Sequence, residues 1–170
     1  MRLAFVSASA GDFWCMLRLG CDSAARQLGG VDLDFRTPLE HTAAAQQELL
    51  ENLIASGVEG IAVSPIDAEN ETAYLNSIIT NTLLVCANSD AEKSKRLCYV
   101  GPDNVAAGAQ AAELLKAALP KGGKVMMFVG YPHAQNAIDR IQGIKDGLGG
   151  RRRARSHQCL YRRPRCGLCQ

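Results

Sequence analysis

At 170 residues with 47% hydrophobic side chains, the chain is long enough for a domain with its own core. Its formal charge of +2 is uneven: seven of the 19 basic residues are arginines in the last twenty positions, while all 17 acidic residues precede them. The body is therefore mildly acidic, which argues against whole-domain contact with nucleic acid or an anionic membrane. No run approaches the ~20 apolar residues of a membrane span. Met1-Arg2 leads straight into "LAFVSA", too short for a secretory h-region, so no signal peptide is expected.

Short apolar runs alternate with segments of helical period. "RLAFVSA" (2–8) predicts a buried strand, and 13–29 a helix stopped by glycine. "VDLDFR" (31–36) alternates like a strand, and 42–57 is an amphipathic helix. "GIAVSPI" (60–66) is a third strand, followed by a helix around "AENETAYLNSIIT" with Asp67 as its N-cap. Strands follow at 82–88 and 97–101, then a helix over 104–119 capped by Asp103 or Asn104. A strand at 123–130 and a helix at 134–150 complete the pattern. Such alternation predicts an α/β fold: a doubly wound parallel sheet with helices on both faces. Cys15, Cys21, Cys86 and Cys98 fall in apolar or helical patterns and read as small buried hydrophobes; their spacing suggests no disulfide framework.

Ligands of doubly wound sheets sit beyond the carboxyl ends of the strands, so the residues there carry the functional weight. After the first strand come Phe13 and Trp14, two aromatics at a loop-to-helix junction. Either could pack into the core, or offer a flat face to a sugar ring. After the fourth strand, Asn88, Ser89 and Asp90 form a polar turn or a set of acceptors for sugar hydroxyls. After the sixth, Asn136 and Arg140 stand four residues apart on one helical face. Arg140 is then a surface cation or a fixed clamp with several donors. His41 and His133 have no ligand-spaced partner, and no G-x-G-x-x-G, P-loop or G-x-S-x-G occurs, so no metal, cofactor or enzymatic activity is expected.

Taken in order, "DFW", "LIASGVEGIAVSPID", "LLVCANSDA", "YVGPDNVAAGAQAAELL" and "QNAIDRIQGIKDGL" carry a resemblance. Residues 1–149 resemble the N-terminal lobe of a type 1 periplasmic sugar-binding protein of an ABC importer, in the ribose-, xylose- and glucose-binding group. The resemblance implies one lobe of a periplasmic-binding-protein type 1 fold, a hinged two-lobe clamp around a monosaccharide, an ABC transporter permease as partner and a periplasmic location. It assigns ligand contact to Phe13, Trp14, Asn88, Asp90, Asn136 and Arg140. Asn88 stands where the family usually carries aspartate, exchanging a charged acceptor for a neutral amide. The alternative is the effector-binding domain of a sugar-responsive transcription regulator, although no DNA-binding headpiece precedes "LAFVSA".

Residues 150–170 depart from that pattern. At the glycines 149–150 the composition turns basic and cysteine-rich, as a reading-frame shift would produce, and the second lobe expected of the family does not follow. The segment therefore reads as a non-native, disordered tail on a truncated chain. Its rivals are a zinc knuckle of His157, Cys159, Cys166 and Cys169, and a basic arm for nucleic acid.

Overall fold

The computed structural model describes residues 1–149 and, by its backbone, 155–158. The chain forms two compact units, one from Met1 to Val100 and one beginning at Gly101.

In the first unit, β1 (Arg2–Val6), β2 (Asp32–Arg36), β3 (Gly60–Val63), β4 (Leu83–Ala87) and β5 (Cys98–Val100) make one sheet in the order β2-β1-β3-β4-β5. Every pairing is parallel. Alternate residues point to opposite faces, and each face has its own apolar cluster. Ala4, Val6, Ile61, Val63, Leu84 and Cys86 meet Leu50 and Leu53 of α2 (Ala43–Ala55) and Leu75 and Ile78 of α3 (Ala68–Ile78). On the other face Phe5, Phe35, Ala62 and Ala87 meet Trp14, Leu17 and Cys21 of α1 (Asp12–Leu28). Helices on both faces give the doubly wound arrangement that the alternation predicts. Thr42 and Asp67 cap α2 and α3, their side chains accepting from the Ala45 and Asn70 amides.

The second unit holds α4 (Asn104–Ala118), β6 (Met126–Val129), α5 (Gln135–Gly147) and β7 (Arg155–Gln158). Asp103 caps α4 by accepting from the Ala106 amide at 2.8 Å. The two helices pack backbone against backbone: a Cβ at Gly108 would collide with the Arg140 carbonyl, and one at Gly143 with the Val105 carbonyl. Only glycine permits so close an approach.

Three observations go beyond the sequence reading. The described chain parts at Val100 into the two units, and β6 pairs with β7 outside the five-stranded sheet. Alternating strands and helices predict parallel pairing; they carry no information about which sheet a later strand enters. Arg155–Gln158, in the segment expected to be disordered, forms β7 alongside β6. Ladder pairing uses backbone donors and acceptors, which four polar residues supply as well as four apolar ones. Positions 150–154 and 159–170 lie outside the described residues, and with them the cysteines of the zinc reading. Finally, Cys15 is disulfide-bonded and half-buried, while Cys21, Cys86 and Cys98 are free. Spacing along the chain could not anticipate that bond.

Candidate functional site

The carboxyl ends of four neighbouring strands place one small polar residue each. Ser7 follows β1, Thr37 follows β2, Ser64 follows β3 and Asn88 follows β4. The sheet ladders continue into three of them: the Ser7 amide donates to the Arg36 carbonyl, Ser64 to Val6, and Asn88 to Val100. Their side chains then link sideways. The Ser7 and Thr37 hydroxyls share a hydrogen bond of 2.8 Å, and Asn88 Nδ2 donates to Ser64 Oγ at 3.4 Å. Between Ser7 and Ser64 the gap is bridged by Gln46 of α2, which is 0% exposed. Its Nε2 donates to the Ser7 and Ser64 carbonyls at 3.1 Å each, and its Oε1 accepts from the Ile66 amide at 3.2 Å. A polar row thus crosses the sheet end in strand order, from Thr37 to Asn88.

Asn88 is the one non-glycine among the described residues with positive φ, at 66°. Asparagine is among the few side chains that enter this region readily. Its carbonyl accepts from the Tyr99 hydroxyl at 3.1 Å, fixing the turn to β5. Asp90, two residues on, faces a different partner. Arg96 holds its carboxylate through Nη2–Oδ2 at 2.6 Å and Nε–Oδ1 at 2.5 Å, and both side chains are less than a fifth exposed. The hydrogen bond to Asp90 raises the Arg96 pKa further above its ordinary value. Asp90, expected as a hydroxyl acceptor beside Asn88, is thus ion-paired with Arg96. Sequence reading did not single out Arg96, because a cation six residues beyond an acid carries no helical or strand signature.

Phe13 and Trp14 separate in the same way. The rings touch edge to face at 5.0 Å, yet Phe13 is 56% exposed and Trp14 only 8%. Trp14 packs near Phe5, with centroids 6.4 Å apart, and its Nε1 donates to Ser9 Oγ at 3.0 Å. Of the two readings open to it, core residue or stacking platform, Trp14 is placed in the core, where it backs Phe13. The helical turn at the start of α1 sends residue 14 inward and residue 13 outward. His41 reaches the same loop, its Nδ1 lying 2.8 Å from the Ala8 carbonyl.

Glu71, in the first turn of α3, is 5% exposed, and its Oε2 accepts from the Asp67 amide at 3.1 Å. Burial raises its pKa to about 7, against the lowering effect of the Asp67 and Ile66 amides; the Asp67 charge raises it further. It grips the same 64–67 loop as Gln46. In the second unit Asn136 is half-buried and Arg140 exposed, one turn apart near the start of α5. A separate concavity of about 280 Å³ lies along the β1–β2 edge, but its Arg36 is already paired with Asp34 at 2.6 Å.

Residues 3–159 match the model of the periplasmic binding protein domain. The chain belongs to this family. A provisionally named rhizopine-binding protein of Rhizobium meliloti is 31% identical over 145 residues, which is 80% of this chain and 45% of that relative. An ABC transporter solute-binding protein from Burkholderia graminis, solved with D-arabinose, superimposes with a TM-score of 0.85 at 28% identity, covering 93% of this chain and 55% of that one. A glucose-galactose binding protein from Geobacillus stearothermophilus gives 0.82 at 26% identity, covering 92% and 56%. The chain thus spans about half the length of these relatives. The family match and these similar structures give the chain the type 1 periplasmic-binding-protein fold. Among the described residues, no helix is long and apolar enough to cross a membrane.

Proposed function

We propose that this chain is the solute-binding part of an ABC sugar importer, located outside the cytoplasm. It binds a monosaccharide at the carboxyl end of the first unit's sheet. The observation that carries the reading is the pairing of an exposed aromatic, Phe13, with a row of hydrogen-bonding side chains at the strand ends. A pyranose or furanose has just this duality, an apolar C–H face and a rim of hydroxyls. The sugars named for the two similar structures support the ligand class. The role is binding, with transport driven by a separate permease and ATPase.

Phe13 and Asn88 are the contacts proposed from the first unit, with Asp90 acting through its loop. Asn136 and Arg140 are the candidates of the second unit, to be tested separately. Because a loop surface encloses only part of a sugar, its affinity is expected to be about millimolar. Titration of the ¹⁵N-labelled 170-residue chain with D-arabinose, D-glucose and D-galactose tests this. Saturable shifts at the Phe13 and Asn88 amides are expected. No shift at ~100 mM of any of the three would overturn the reading, since millimolar sites are saturated there.

A further inference from the structure

The row at the strand ends has one member that belongs to no strand. Gln46 enters from α2, is fully buried, and uses both its amide nitrogen and its oxygen on the backbone of two loops. A buried primary amide with all three contacts on main chain is costly to displace, because each loop would be left with an unpaired carbonyl or amide. Its neighbour Gln47 lies on the exposed side of the helix, where its side chain donates to Glu51 at 2.9 Å.

The geometry points to Gln46 as the positioning residue of the strand-end site. By spanning Ser7 and Ser64 it sets the spacing of the β1 and β3 loops. By holding the Ser64 main chain it also places Ser64 Oγ, which accepts from Asn88 Nδ2 at 3.4 Å and so orients the Asn88 amide. With Nδ2 committed to Ser64, Asn88 presents Oδ1 as its free end, an acceptor suited to a ligand hydroxyl. This inference rests on the sugar-binding reading above only for its ligand; the positioning of Asn88 stands or falls without sugar.

The test uses the full chain. Gln46→Met keeps the length of the side chain and removes its hydrogen bonds. Leu50→Val, one turn along α2 in the core, serves as a control that loses stability without touching the row. In sugar-free spectra, Gln46→Met is expected to move the Asn88 side-chain amide resonances, while Leu50→Val leaves them in place. With sugar, Gln46→Met is expected to weaken binding roughly tenfold. Should Gln46→Met fail to fold, the parent protein supplies the second measurement: hydrogen exchange of the Gln46 side-chain amide is expected to be at least ~100-fold slower than that of Gln47, as for a buried, bonded group. Unmoved Asn88 resonances in a folded Gln46→Met chain, or exchange at Gln46 as fast as at Gln47, would overturn the inference. If Asn88 moves but the parent binds none of the sugars, the positioning role is upheld and the sugar reading fails.

Discussion

The two units are held together in opposite ways. The first is filled by side chains, with an apolar cluster on each face of its sheet and a polar row at one end. The second depends on side chains being absent, since α4 and α5 meet at Gly108 and Gly143. A filled interior fails by degrees, losing a few contacts with each truncation. A backbone-to-backbone contact fails by steric collision, with little room for compromise.

Trp14→Ala should be the most damaging change to the first unit. It empties an indole-sized space beside Phe5 and is expected to cost about 3–5 kcal/mol, read as a lower urea midpoint. Gly143→Val should do comparable harm to the second, at about 3 kcal/mol, by driving a branched side chain into the Val105 carbonyl. Hydrogen exchange resolves the two: amides of α4 and α5 should lose protection while β1 to β4 keep theirs. Simultaneous loss in both would show that the units do not unfold separately.

Glu71→Gln sharpens the comparison within the first unit. The folded-state pKa of Glu71 is raised to about 7 from 4.5, so its contribution is fully present at low pH and is lost as pH rises through about 7. The parent should therefore lose up to about 3 kcal/mol between pH 4 and 8 that the permanently neutral variant keeps. Melting curves at both pH values check this; equal slopes for the two proteins would contradict the assignment. Phe13→Ala should have the smallest effect on stability, within about 0.5 kcal/mol, because its ring is mostly in solvent. It should nevertheless weaken sugar binding, which calorimetry or NMR titration would register.

Much of the first unit was legible because its signals are local. β1, β3 and β4 are apolar runs, β2 alternates, Asp67 announces α3, and Gly29 ends α1 with φ 65°. The candidate site was legible only in outline. Phe13 and Trp14 are neighbours of the same chemical kind, and one turn of helix decides that one is exposed and the other buried. Gln46 reads as a polar residue on an amphipathic helix, and nothing in its spacing tells that it points at the loops. The division at Val100 was illegible for a third reason: sheet membership is decided by contacts far apart in the chain, whereas periodicity reports only the nearest turn or two.

Trp14 is the chain's single tryptophan, and its indole N–H is tied to Ser9 in the loop that leads into the first turn of α1, where Phe13 stands. Selective excitation of tryptophan therefore isolates one emitter, in edge-to-face contact with the exposed ring. Any ligand that settles on Phe13, or any rearrangement of the Ser7–Ser9 loop, changes the polarity and quenching around that emitter. The fold has built an optical gauge into the back wall of its own candidate site, readable without attaching a dye.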